Sequence, residues 1–183
     1  MSGYHHGNLR RAIIDTAVEA IGESGTAAWS LRELARRAGV SHAAPAHHFG
    51  DKAGLLTAVA AEGFTMFADA LAAAGDDFLE VGLAYVRFAT GHRPYFEVMF
   101  RPDLYHADDP EVLAAATRAH EVLVAGAGRA LPAEGPDDWS GAIAAWSIVH
   151  GFASLWLSGA LPERLGGDPE AAARPVLRIL TGR

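Results

Sequence analysis

No cysteine occurs in the 183 residues, so disulfide frameworks, thiolate metal sites and cysteine nucleophiles are excluded. An export signal is missing from the opening Met-Ser-Gly-Tyr-His-His-Gly-Asn-Leu-Arg, which is polar where such a signal places its apolar stretch. Together these absences point to a reducing cytoplasm. No run alternates at period two, and no internal repeat or low-complexity tract appears, which argues against strands, solenoids and disordered tails. Positive charge is in deficit, with 15 Lys and Arg against 22 Asp and Glu, a formal net charge of −7 that argues against indiscriminate binding to a polyanion. What remains is an ordinary globular composition, 50% apolar and 20% charged, able to bury a core as one body or as a small head on a larger lobe.

The charge is unevenly distributed. Residues 1–52 hold six cations (Arg10, Arg11, Arg32, Arg36, Arg37, Lys52) against five acids, and five of the nine histidines. The remainder holds nine cations against seventeen acids. A surface for nucleic acid therefore belongs in the first 52 residues.

Apolar spacing predicts an all-α chain. Leu9, Ile13, Ala17 and Ile21 follow an Asn8 cap and mark the first helix, which ends at Gly22 and Gly25. Ser30-Leu31-Arg32-Glu33 has the form of a capping box, in which the Ser hydroxyl and the Glu carboxylate each satisfy an amide at the start of the second helix. Gly39 ends that helix, and Ser41 is a good cap for a third, reaching Phe49 with Pro45 at about its fourth position. Asp51 caps a long fourth helix, closed by Gly75, and Asp76–His92 gives a fifth. A short sixth helix runs from Arg93 through Phe100, residues 102–110 form a loop, and Glu111–Leu131 is the seventh helix. The linker Pro132–Asp138 precedes an eighth helix, Trp139–Leu161, and Asp168 or Pro169 starts the last, giving about nine helices.

Residues 34–41 have the makings of a helix-turn-helix. Ala35 is small enough for two helices to cross, Gly39 permits the turn, and Val40 plugs the angle between them. The full run Ser30-Leu31-Arg32-Glu33-Leu34-Ala35-Arg36-Arg37-Ala38-Gly39-Val40-Ser41, closed by His48-Phe49-Gly50-Asp51-Lys52-Ala53-Gly54-Leu55-Leu56, resembles the DNA-binding domain of the TetR family. The resemblance implies a three-helix head at 1–52, an all-α ligand-binding and dimerisation lobe at 53–183, and a homodimer on a palindromic operator in double-stranded DNA. Carried over by residue, it implies that Arg32 faces DNA at the start of the second helix, that Ser41, His42, Ala43, Ala44 and His47 form the reading face, and that Lys52 contacts phosphate. A cation at the start of a helix opposes the dipole there and makes sense beside a docked anion.

The sequence departs from the family where Ala46 and His47 replace the tyrosine common in the recognition helix. No Arg, Asn or Gln on this helix offers a bidentate base contact, so each base pair is discriminated modestly, with Ala methyls for thymine and His nitrogens for base edges. Tyr4, His5, His6, Arg10 and Arg11 form an arm expected to reach phosphates. His48 is expected to pack against the first or fourth helix.

From Trp139 through Pro162 no charged residue occurs, a run long enough to span a bilayer. Four serines, His150 and three glycines interrupt it, which favours a helix buried on several sides over a membrane segment. Ser147, Gly151, Ser154 and Ser158 form a stripe of small residues for close packing, and with Trp139 and Ile143 they are assigned to a dimer interface, as the resemblance implies. Trp146-Ser147-Ile148-Val149-His150-Gly151 is similar to the Trp-x-x-x-His-Gly signature of one TetR C-terminal subgroup, whose sixth helix Arg93–Phe100 also resembles. Tyr85, Phe88, Phe96, Met99, Phe100, Trp146 and His150 are expected to line a pocket for a small, largely apolar effector.

No catalytic residue, cofactor or metal site is assigned. A rival reading makes His42, His47 and His48 a metal or catalytic cluster, but Asp51 is the only nearby carboxylate to orient a base. A second rival is a ligand-binding helical protein without an operator.

Overall fold

A computed structural model describes residues 6–130 and 139–181. Among the described residues the chain is all helical, with nine α-helices: α1 His6–Ser24, α2 Leu31–Arg37, α3 Ala44–Phe49, α4 Lys52–Ala73, α5 Phe78–Gly91, α6 Arg93–Met99, α7 Pro110–Ala130, α8 Ser140–Leu157 and α9 Pro169–Thr181. Single 3₁₀ turns at Pro102–Leu104 and Glu163–Leu165 interrupt the connecting loops. The expected linker Pro132–Asp138 lies outside the described residues.

The chain forms two compact units, Met1–Phe64 with Pro94–Ala114, and Thr65–Arg93 with Ala115–Arg183. These units do not follow the expected cut between residues 52 and 53, because the first half of α4 and nearly all of α6 join the first unit. The physical reason lies at Gly63, where an added Cβ would fall 2.8 Å from the Met99 sulfur and 3.2 Å from the Tyr95 Cβ, so α4 and α6 touch closely there.

In the first unit, Ile13, Ile14, Ala17 and Ile21 of α1, Leu34 and Ala35 of α2, and Leu55, Leu56 and Val59 of α4 are buried. That pattern is the helical spacing read from the sequence. α1 begins at His6, so Asn8 lies inside the helix rather than capping it. A polar group ties three helices of this unit together: Glu62 of α4 accepts from the Tyr95 hydroxyl at 2.8 Å and from Arg11 of α1 at 2.6 Å. Burial and the neighbouring Glu62 carboxylate push the Tyr95 phenol up to about 12. The buried Thr57 hydroxyl accepts from the His106 amide at 3.0 Å and docks the loop after α6.

In the second unit α5 packs against both α8 and α9, and Phe67, Leu71, Leu83, Tyr85, Val86 and Phe88 are buried. Gly82 of α5 meets the Leu177 side chain of α9, where an added Cβ would fall 2.9 Å away. Asp77 caps α5 by accepting from the Glu80 amide at 3.0 Å, and Asp168 caps α9 by accepting from the Glu170 amide at 2.9 Å. α8 stops at Leu157, earlier than expected, because Gly159 takes φ +69° and lets the Ala160 amide bond back to Leu155. By length and composition α4 and α8 could each cross a membrane, but half of the apolar window of α4 is buried within the chain while only 17% of that of α8 is. α8 thus carries an uncharged surface with little of it covered.

Candidate nucleic-acid interface and ligand cleft

The turn between α2 and α3 is built locally. Ser30 accepts from the Glu33 amide at 3.3 Å, as the capping pattern predicts. The Glu33 carboxylate does something other than expected: it accepts from Arg36 at 2.7 Å and from Arg37 at 3.0 Å, and these guanidinium groups hold it down at about 2. At the other end Gly39 takes φ +66°, and the Val40 amide bonds the Ala35 carbonyl at 3.0 Å, a Schellman closure that only glycine adopts without strain.

α3 begins at Ala44, two residues later than a Ser41 cap would give. Proline explains the shift, because Pro45 falls in the first turn, where its missing N–H has no intrahelical acceptor to lose. Ser41, His42 and Ala43 instead make a turn closed by the Ala44 amide on the Ser41 carbonyl at 3.0 Å. All three are exposed, as are Ala46 and His47. Ala44 is a correction: only 8% exposed, it joins Pro45 on the inner side of the helix and cannot offer its methyl to a groove. His48 is half-buried, with its ring 5.4 Å from that of His47 and 6.2 Å from that of Phe49. Among the described residues no group of three or more His, Cys, Asp or Glu is placed to hold a metal ion.

Most cations of the head have intramolecular partners. Arg11 is held by Asp15 and Glu62, Arg36 by Glu33, and Arg37 by Glu23 and Glu33. Arg10 lies 5.3 Å over the Phe49 ring. Arg32 is exposed and has no side-chain partner among the described residues. Lys52 at the start of α4 sits 4.0 Å over the Trp29 indole and donates to the Trp29 carbonyl at 2.8 Å. Burial lowers its ammonium below the usual lysine value, and two N–H groups remain beyond the Trp29 bond. Trp29, unremarked in the sequence, is buried and anchored by its own Nε1–H on the Gly25 carbonyl at 3.1 Å. Tyr4 and His5 lie outside the described residues.

The seven residues expected around an effector divide between the units. Phe96, Met99 and Phe100 belong to the first, where Phe96 meets Phe100 edge-on at 4.9 Å and Phe64 meets Phe100 at 6.1 Å. Tyr85, Phe88, Trp146 and His150 belong to the second. There the Trp146 indole N–H donates to the Tyr85 oxygen at 3.3 Å, and the Tyr85 hydroxyl pairs with His150 Nδ1 at 2.8 Å. The Tyr85 oxygen thus accepts from Trp146, and the direction of its bond to Nδ1 follows the tautomer of His150. Burial pushes the Tyr85 phenol well above its usual value and the His150 imidazole below its own. Phe67 meets Tyr85 edge-on at 4.9 Å and Phe88 at 5.0 Å.

A cleft of about 250 Å³ opens in this unit between α7 and the start of α8, lined by His120, Leu123, Val124, Trp139, Ala142, Ile143 and Trp146. The His120 ring stacks on Trp139 at 5.5 Å with 9° between planes and meets Trp146 at 6.2 Å and 70°. A smaller pocket of about 30 Å³ shares Leu123, Ala142 and Trp146 with it and reaches Gly82 and Gly126. Trp139 and Ile143, expected at a dimer seam, thus line the cleft, while the stripe beyond them remains uncovered: Ser147, Ser154 and Ser158 are exposed and Gly151 is partly so. Leu155 beside that stripe and Ile179 of α9 are exposed too, at 47% and 76%. His120 was missed, although its spacing with Leu123 and Val124 marks one face of α7.

Residues 78–180 match the family model described as tetracyclin repressor-like, C-terminal domain, and residues 13–59 match that of the bacterial regulatory proteins of the tetR family. The HTH-type transcriptional regulator BetI of Rhizobium meliloti (strain 1021) is 49% identical over 49 residues, 27% of this chain and 24% of BetI. The match to such curated relatives therefore spans about a quarter of their length. A solved structure of a protein with unknown function from Rhodococcus sp. RHA1 superposes with a TM-score of 0.79 at 31% identity, covering 100% of this chain and 98% of the other. The multidrug binding protein EbrR complexed with imidazole superposes with a TM-score of 0.58 at 25% identity, covering 94% of this chain and 89% of EbrR.

Proposed function

The chain belongs to the TetR family of bacterial regulatory proteins, and on that premise we infer that it is a ligand-responsive repressor acting in the cytoplasm as a homodimer on a palindromic operator. Members of the family regulate transcription and are not enzymes. The observation that carries the reading is the exposure of Ser41, His42, Ala43, Ala46 and His47 behind the Gly39 turn, with Arg32 exposed on α2. Ser41, His42, Ala43 and His47 meet base edges in the major groove, while Arg32 and Lys52 take phosphates. Tyr4 is assigned to the arm that follows the backbone.

Dimerisation uses the small-residue stripe Ser147, Gly151, Ser154 and Ser158 with the exposed Leu155 and Ile179, since an uncharged helix with so little of its surface covered needs a partner. Two copies of the head then address half-sites about one helical turn apart. A small, largely apolar effector in the C-terminal lobe binds the conformer with mis-spaced heads more tightly and lowers operator affinity, a coupling of about 1–3 kcal/mol in typical cases. EbrR, a multidrug binding protein complexed with imidazole, supports ligand binding by this fold.

Selection of bound fragments from a random oligonucleotide pool tests the reading. A palindrome whose capture is lost in His42→Ala and Lys52→Met is the expected result. Fragments without a shared sequence would leave a ligand-binding protein without an operator.

A further inference from the structure

We propose that the cleft walled by His120, Leu123, Val124, Trp139, Ile143 and Trp146 takes a neutral, planar aromatic molecule of one or two fused rings. The proposal rests on the reading of the chain as ligand-responsive and names the site and the chemical class of its effector.

Size sets the first limit. An apolar cavity of about 150 Å³ holds benzene, and drug-sized ligands need roughly 300–1,000 Å³. About 250 Å³ lies between these and suits one ring or two fused rings. The walls set the shape: His120 lies parallel to Trp139 and close to perpendicular to Trp146, so the cleft presents both ring faces and ring edges. A flat π-system gains stacked and edge contacts there that a saturated ring of equal size does not. Charge sets the third limit, because among the described residues no Lys, Arg, Asp or Glu lines the cleft, and an ion entering it would meet no counter-charge from them. Among the described residues His120 supplies the lining's one ionisable group, enough to orient a single hydroxyl or ring nitrogen.

Trp146 gives the cleft a route inward. The indole that forms one wall also donates to Tyr85, which is hydrogen-bonded to His150 of α8. A ring resting on that indole acts directly on the polar link between α5 and α8. Trp146 is in this sense a positioning residue, and Trp139 is the stacking wall.

The experiment is calorimetry on the full-length, DNA-free protein with four probes: 2-naphthol, the saturated alcohol cyclohexylmethanol, the anion 2-naphthoate and the cation tetraethylammonium. The expected result is binding of one 2-naphthol per protomer, at least tenfold tighter than the other three. Trp139→Ala, which removes the stacking wall, and Val124→Phe, which fills the volume, each weaken it at least tenfold while circular dichroism and dimer mass stay unchanged. Equal affinity for the saturated alcohol, preference for either ion, no heat with millimolar 2-naphthol, or binding indifferent to both substitutions overturns the proposal. So does a Trp139→Ala protein that falls to monomers, since a second copy would then cover the cleft. Release of operator DNA is read separately. Binding without release keeps the cleft and removes the regulatory reading, whereas release that survives both substitutions keeps that reading and removes the cleft.

Discussion

The Lys52 ammonium rests 4.0 Å from the centre of the Trp29 indole and donates to the same residue's carbonyl at 2.8 Å. One buried tryptophan therefore holds the lysine's ammonium through both its ring and its carbonyl at the start of α4. Lys52→Met keeps an apolar stem on the indole and removes the charge, so thermal stability should change by less than about 1 kcal/mol. Operator affinity should fall by about 1.5–3 kcal/mol, the worth of a hydrogen bond to a charged group. Paired melting and anisotropy measurements decide it: a drop in stability with affinity intact makes Lys52 purely structural.

Salt dependence should be shallow. If Arg32 and Lys52 supply the phosphate contacts of each head, a dimer neutralises about four phosphates and log K falls against log [salt] with a slope of ~−4. Were all six head cations engaged, the slope would approach ~−11. The internal pairing of Arg11, Arg36 and Arg37 is the reason for the smaller figure. Anisotropy titrations between 50 and 300 mM salt measure it, and a slope steeper than ~−8 would show those pairs opening on DNA.

Two glycines should respond in opposite directions. An added Cβ at Gly54 would fall on the Phe49 carbonyl oxygen, a backbone atom at the end of α3 that cannot move alone. Gly54→Ala should cost about 1–3 kcal/mol and reorient the reading segment. Gly126 is buried within α7, yet an added Cβ would have no atom within 4 Å, so Gly126→Ala should stabilise by about 0.5–1 kcal/mol. Thermal melts of the two variants should move to opposite sides of the parent.

Burial lowers the His150 imidazole below its ordinary value, so the folded chain resists protonation there while the unfolded chain accepts a proton near pH 6.5. The resulting stability is complete above about pH 6.5 and declines as the pH falls from there toward the lowered folded value. Urea unfolding at pH 7.5 and 5.5 should show a smaller acid-induced loss in His150→Gln than in the parent. An identical loss in both would mean that His150 contributes nothing to the pH response.

Features set by neighbours in sequence were legible beforehand. The Ser30 cap, the Gly39 turn and the Asp51 cap, whose carboxylate accepts from the Gly54 amide at 2.8 Å, each depend on groups within a few residues. The start of α3 was misplaced because Ser41 and Pro45 compete to define the first turn, and the ring that lacks an N–H decides it. What stayed hidden depended on residues far apart in the chain. Arg11 reads as an arm residue until Glu62 of α4 meets it, and Lys52 reads only as a phosphate contact until Trp29 lies beneath it. Aromatic content groups Tyr85, Trp146 and His150, which hydrogen-bond in series within one unit, with Phe96, Met99 and Phe100, which belong to the other.

Pro45 locks the backbone at the start of a six-residue helix, and the segment from Ser41 to Gly50 carries no long hydrogen-bonding side chain. On the proposed reading such a probe is stiff and short in reach, and a duplex that bends or narrows toward it is expected to bind best. Part of the sequence preference is then expected in base steps that the protein never touches, with easily kinked pyrimidine–purine steps favoured over rigid A-tracts.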